Sequence, residues 1–312
     1  MSPDGQGPMP GGSASRAARG GEVPAGDHRM TGSGPPGTER PHEPEQHDRV
    51  PLSATFDVVG PADAPVIVFV HGTRLTRAMW VPQLPLADRF RLVMTDLPGH
   101  GALASARFTL PAATAHVSRV IDAAAGGWAI VVGQSLGGYV AMDLAALHPE
   151  QVRALVLGNC TEEPRAIARF APRVVGGYLA GAAAQSLRRG RAASTPTRGA
   201  AGAPEPGDPP LLRHHEPPTE GWLFKGGTRA LLSSLGMAFI PRLRRYGGPT
   251  LIVNGAGDRT LRRGEDRFLA AAANGRLVII DGAQHVPSEE ATEAYNAVVR
   301  GFVEEIVAGP LP

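Results

Sequence analysis

Seven short apolar runs recur along this chain, and between several of them the apolar residues re-space to a helical period. The runs are Thr55–Val59, Val66–Val70, Arg91–Thr95, Ala129–Val132, Ala154–Leu157, Thr250–Val253 and Leu277–Ile280. Each has the length of a strand. Val66-Ile67-Val68-Phe69-Val70 offers water no polar position at all, the pattern of a strand buried on both faces. Helices are predicted at about 111–125, 136–147, 262–273 and 288–307. In the first, Ala112-Ala113-Thr114-Ala115-His116-Val117 with Val120-Ile121 shows the i, i+3, i+4 spacing of an amphipathic helix. In the last, Pro287 followed by Ser288-Glu289-Glu290 reads as a capping serine ahead of first-turn acids. Strands alternating with helices demand right-handed crossovers and a mostly parallel sheet with helices on both faces, an α/β architecture. No internal repeat is visible.

The pattern stops in two places. Residues 1–50 are rich in Gly, Pro and polar residues and cannot bury enough surface to offset chain entropy, so a disordered leader is expected there. A start assigned too far upstream would explain the same segment, and the two readings stay open. It contains no apolar core of about 7–15 residues as in a secretory signal. Between Cys160 and about Arg245 a second interruption reads as an insertion. The expected organisation is therefore a core of residues 51–160 and 245–312, with a helical cap at 161–244. Within the cap, Arg165–Ala184 and Thr228–Leu243 read as helices. Arg188–Pro218 is Arg-, Ala-, Gly- and Pro-rich with little to pack, and reads as a mobile loop at about 188–218.

Composition narrows the function only modestly. A chain of 312 residues holds one such domain with its insertion. The formal charge of +2 implies no strong preference for polyanions, and the Arg188-Arg189-Gly190-Arg191 cluster lacks interleaved aromatics, so no nucleic-acid partner is expected. No run of about 20 apolar residues invites a membrane. Cys160 is the sole cysteine, which excludes an intrachain disulfide and fits a reducing cytoplasm. No His/Cys/Asp set has metal-ligand spacing, so neither metal nor other cofactor is expected. A homodimer is compatible with all of this.

The chemistry is concentrated at strand ends. Gly133-Gln134-Ser135-Leu136-Gly137 follows one apolar run directly and precedes a helical one. A strand turning sharply into a helix strains the residue at the corner, and flanking glycines remove side chains that would collide there. The serine hydroxyl is lifted from the sheet as a nucleophile, but it needs a base, and the base needs an orienting acid. Thr250–Val253 leads to Asp258, and Leu277–Ile280 leads to His285, so Ser, Asp and His each follow an apolar run, in that order. Val66–Val70 leads to His71-Gly72-Thr73, a tight loop suited to an oxyanion donor. The amides of Thr73 and Leu136 are the expected donors, and His71 is expected to hold the loop by hydrogen bonds.

These motifs, together with Asp96-Leu97-Pro98-Gly99-His100-Gly101, Gly257-Asp258 and Gly282-Ala283-Gln284-His285, resemble the α/β-hydrolase fold superfamily in its serine esterase, lipase and peroxidase-like branch. The resemblance covers residues 55–160 and 245–307. It implies an α/β-hydrolase fold with a helical cap, a Ser135-His285-Asp258 triad and a structural turn anchored at Asp96. It also leaves the acid open to the preceding strand end, where Glu162 and Glu163 stand. The expected reaction is cleavage of a small apolar ester, thioester or lactone through an acyl-enzyme. A cofactor-free lyase, a perhydrolase, a C–C bond hydrolase or a non-catalytic ligand binder are the alternatives. Met79, Trp80, Trp222, Phe224, Met237 and Phe239 are the candidates to line the pocket.

Overall fold

The computed structural model describes residues 50–168, 233–234 and 236–309. The leader up to residue 49, the loop at 188–218, Trp222 and Phe224 lie outside the described residues. All seven apolar runs are strands: β1 (Phe56–Val59), β2 (Val66–Val70), β3 (Arg91–Thr95), β4 (Ala129–Gln134), β5 (Val152–Gly158), β6 (Pro249–Gly255) and β7 (Asn274–Ile280). They form one sheet in the order β1-β3-β2-β4-β5-β6-β7. β1 pairs antiparallel with β3, and every other pairing is parallel.

Period-2 alternation sends neighbouring side chains to opposite faces, and on this sheet both faces are covered. Val68 and Val70 join one core cluster with Val131, while Ile67 and Phe69 join the other with Ile130 and Val132; all seven are fully buried. Burial of each such side chain contributes on the order of 1.5–3 kcal/mol. That is why these strands contain no polar alternation. The first face is covered by α1 (Leu110–Ala125) and α2 (Leu136–Leu147). Thr109 caps α1 by accepting from the Ala112 amide at 3.2 Å, and Gly126 ends it with a left-handed φ of 68°. α3 (Pro164–Ala168), α4 (Ile240–Arg245), α5 (Glu265–Leu269) and α6 (Pro287–Glu290) are short, and α7 (Thr292–Ala308) is the C-terminal helix.

Four expectations fail locally. The helix predicted at 262–273 shrinks to α5, with Gly264 as its N-cap residue and turns at 259–264 and 270–271 on either side. The helix at 288–307 breaks at Ala291, between α6 and α7. Ser288 does not cap it: Val286 is the N-cap residue, and the Ser288 hydroxyl is buried without a partner. The continuous helix expected over Thr228–Leu243 is interrupted from Gly236 to Phe239, where the buried carboxylate of Glu163 accepts from the Phe239 and Ile240 amides and starts α4 afresh. The second face carries an element that was not foreseen, a 3-10 helix over Arg77–Asp88. It contains Pro82 and Pro85, which lack the amide hydrogen an α-helix needs.

The strand order also places the site. After β2 the chain turns toward β3, and after β4 toward β5, so the loops leaving β2 and β4 diverge. A crevice opens at such a switch point beyond the carboxyl ends of the strands. No helix among the described residues is long and apolar enough to cross a membrane.

Candidate active site

Ser135 joins β4 to α2 with φ 53° and ψ −113°, a conformation costly for any residue with a Cβ. The neighbouring glycines are required by close approach. A Cβ on Gly133 would overlap the Gly137 carbonyl, one on Gly137 would overlap the Val70 carbonyl, and one on Gly138 would overlap the Cys160 sulfur. The elbow is thus wedged between β2 and β5. Cys160 is fully buried and serves as packing, with burial pushing its thiol far above the usual range.

His285 reaches Ser135 from the loop after β7. Its Nε2 lies 3.2 Å from Ser135 Oγ, and its Nδ1 lies 2.7 Å from Asp258 Oδ2. Burial of Asp258 opposes ionisation. Hydrogen bonds from His285, from the Leu261 amide and from Asn159 Nδ2 outweigh it and hold the carboxyl at about 2. Asp258 is therefore a carboxylate at neutral pH, the Nδ1–H of His285 donates to it, and Nε2 is left to accept from the serine hydroxyl. The other two acids are engaged elsewhere: Glu162 with Arg267 at 2.8 Å, and Glu163 with the start of α4.

The loop after β2 borders the elbow, since a Cβ on Gly72 would sit 3.4 Å from the Ser135 Cβ. Thr73 follows directly. The Leu136 amide opens α2, where a helix's first N–H groups have no acceptor within the helix. His71 is fully buried: Leu97 N–H donates to its Nε2 at 3.0 Å, and its Nδ1–H donates to the Gly72 carbonyl at 2.7 Å. Burial lowers its pKa to about 4, so it is a neutral strut. Asp96 accepts from the Arg77 amide, the Arg77 guanidinium and the Ala102 amide at 2.8, 2.8 and 2.9 Å. It ties the loop after β2 to the turn after β3.

With this geometry in view, the comparisons are decisive at the level of family. The model of the Alpha/beta hydrolase family matches residues 67–298, most of the chain. The chain belongs to the alpha/beta hydrolase family. A pimeloyl-(acyl-carrier protein) methyl ester esterase of Neisseria meningitidis serogroup B is 30% identical over 251 residues, covering 76% of this chain and 92% of that protein. The protein of the same name from Xanthomonas campestris is 42% identical over 103 residues, which span 33% of this chain and 38% of that relative. Among solved structures, a hydrolase from Pseudomonas aeruginosa superposes with a TM-score of 0.59 at 26% identity, covering 80% of this chain and 93% of that one.

The pocket candidates of this hydrolase-family chain fare differently from its triad candidates. Trp80 has no accessible surface and packs its ring against Phe69 at 4.9 Å, while Met79 is 5% exposed in the same cluster. Phe239 is fully buried against Tyr139 at 4.6 Å. Trp80 and Phe239 are core residues with no face for a substrate, because the 3-10 helix packs on β3 and α4 packs on α2. Met237 is half-buried beside the same core. A cavity of about 600 Å³ opens between residues 50–55, the 98–107 turn and α1, and neither the triad nor its loops line it. No group of three or more His, Cys, Asp or Glu suited to a metal gathers among the described residues.

Asn159 escaped notice in the sequence. It follows β5 with φ 45°, a left-handed conformation that Asn tolerates better than most residues. Its Nδ2 donates to Asp258 Oδ2 at 2.9 Å and to the Gln284 carbonyl at 3.0 Å, and its Oδ1 accepts from the Gly255 amide at 3.2 Å. One side chain thus braces the acid and the histidine loop together. The only signal was an Asn directly after a strand and a glycine.

Proposed function

We propose that the protein is a serine hydrolase acting on a small, apolar carboxylic ester, thioester or lactone. The observation that carries this reading is the relay from Ser135 Oγ through His285 to Asp258, at 3.2 and 2.7 Å. In this reading His285 Nε2 takes the hydroxyl proton as Ser135 Oγ attacks the carbonyl carbon. Asp258, already ionised, supports the imidazolium without taking its proton. The amides of Thr73 and Leu136 receive the charge that grows on the carbonyl oxygen, helped by the positive end of α2. His285 then protonates the leaving oxygen or sulfur, and an acyl group remains on Ser135. Water, deprotonated by His285, attacks that ester and releases the acid with Ser135 regenerated.

The substrate class rests on two supports. The Neisseria relative, at 30% identity over most of its length, is by name a methyl ester esterase. The chain's near-neutral charge offers no bias toward a polyanionic ligand. A single, buried cysteine with no need of oxidation suits the cytoplasm as the working compartment. The test is labelling by a fluorophosphonate, followed by a panel of methyl esters, p-nitrophenyl esters and lactones of rising acyl length. One label on Ser135 and turnover of short esters are expected. Absence of both labelling and turnover would overturn the reading.

A further inference from the structure

We infer that Gln134 is a positioning residue whose side-chain amide, bonded to the main-chain carbonyl of His285, sets the separation between Ser135 and His285. The inference rests on reading those two residues as nucleophile and base.

His285 belongs to a loop with no strand ladder to hold it. Three consecutive carbonyls of that loop are instead met by donors from three different strand ends. The Gly257 amide, beyond β6, donates to Ala283 O at 2.9 Å. Asn159 Nδ2, beyond β5, donates to Gln284 O at 3.0 Å. Gln134 Nε2, at the end of β4, donates to His285 O at 2.5 Å. On the other edge of the loop, the Glu290 carboxylate accepts from the Gln284 and Val286 amides at 2.5 and 3.3 Å. Of these groups only Gln134 is covalently joined to Ser135. Its bond therefore fixes the base relative to the nucleophile without using the Ser135–His285 contact, which at 3.2 Å is at the long end of hydrogen-bond range.

Two further observations show that the amide is held for its donor. Gln134 is fully buried, and its Oε1 has no hydrogen-bond partner among the described residues. An apolar side chain of equal length would fill the same space without burying an unsatisfied oxygen. Room for that oxygen is kept by Gly158, since a Cβ there would overlap it.

The test compares the full-length wild type with Gln134→Met, Gln134→His, Gln134→Asn and Ser135→Ala, using p-nitrophenyl acetate turnover and the rate of fluorophosphonate labelling. Gln134→Met keeps length and packing but removes the donor. A displacement of the base by a fraction of an ångström should lower kcat about 10- to 100-fold, slow labelling in parallel and leave KM within about two-fold. Gln134→His carries an Nε2–H at the same number of bonds from Cα and should restore most of the loss. If Gln134→Met does not fold, Gln134→Asn, polar and one methylene too short to reach, takes its place with the same expectation. Wild-type kcat in the donor-less variant, or an equal loss in Gln134→His, overturns the inference. Ser135→Ala separates the two layers: full activity there would sink the triad itself, whereas an inactive Ser135→Ala beside a fully active Gln134→Met would sink only the role of Gln134.

Discussion

Ser135 sits where the main chain leaves it no alternative, whereas His285 sits where side chains from other strands hold an irregular loop in place. Around the nucleophile, Gly133 to Gly138 are all buried, and the glycines abut the carbonyls of Val70 and Gly137 and the sulfur of Cys160. Around the base, the side chain of His285 is 44% exposed, and its loop is braced by Gln134, Asn159 and Glu290. The nucleophile is positioned by steric limits at glycines that cluster within six residues of the sequence. The base is positioned by hydrogen bonds, and those from Gln134 and Asn159 span more than a hundred residues. A backbone constraint of the first kind tolerates no substitution at its glycines, while a bonded constraint of the second kind weakens by degrees.

The largest expected effect is at the constrained end. Ser135→Ala should leave the fold intact and reduce turnover by about 10⁶, by analogy with serine protease knockouts. Kinetics on the best ester, with a melting curve as control, checks this. Retention of more than about a tenth of wild-type activity would remove Ser135 as nucleophile.

At the braced end the loss should be smaller. Asp258→Asn keeps the shape but deprives His285 of its orienting acceptor, and should cost roughly 10⁴ in turnover. Glu162→Gln and Glu163→Gln, whose carboxylates serve Arg267 and the start of α4, should affect melting more than turnover. The reverse pattern, crippling at either glutamate and mild at Asp258, would mean that the acid comes from the end of β5. Asn159→Ala should fall between, about 10-fold in turnover, because it removes one brace of three and a donor to Asp258.

The same contrast explains what was legible in the sequence. β2, β4 and α2 announce themselves, because burial on both faces forces continuous apolar runs and close approach forces glycine. The order of Ser135, Asp258 and His285, past the ends of β4, β6 and β7, was visible for the same reason. Asn159 and Gln134 were not legible as braces. Their partners are Asp258, Gln284 and His285, and nothing in a one-dimensional pattern pairs a strand-end amide with a carbonyl 151 positions away. The 3-10 helix at Arg77–Asp88 was missed because two prolines erase the helical period while the segment still packs as a layer. Trp80 was then mistaken for pocket, since a large aromatic near the site looks alike in sequence whether it faces substrate or Phe69.

Acid should separate the two ends, with the smallest consequence at neutral pH. Around the carboxyl ends of β2 and β3, burial lowers the pKa of His71 to about 4, of His100 to about 3 and of His116 to about 4. All three are neutral in the folded protein, while in the unfolded chain they titrate near 6.5. Below that value the unfolded state takes up protons that the folded state refuses. The stability these histidines permit is therefore complete above about pH 6.5 and declines as pH falls toward about 4. Asp258 has the opposite origin. Its carboxyl is held at about 2 against a usual 3.8, so its contribution persists above 3.8 and is lost only as pH falls toward 2. Urea unfolding from pH 8 to 4 should show stability falling through the histidine window with an uptake of up to three protons. His116→Gln, which keeps a polar contact near Thr95 Oγ1, should reduce that uptake by one and flatten the slope. A stability unchanged between pH 7 and 4.5 would show that the three histidines do not stay neutral on folding. The β2–β3 side would then have no weakness to acid that the Asp258 side lacks.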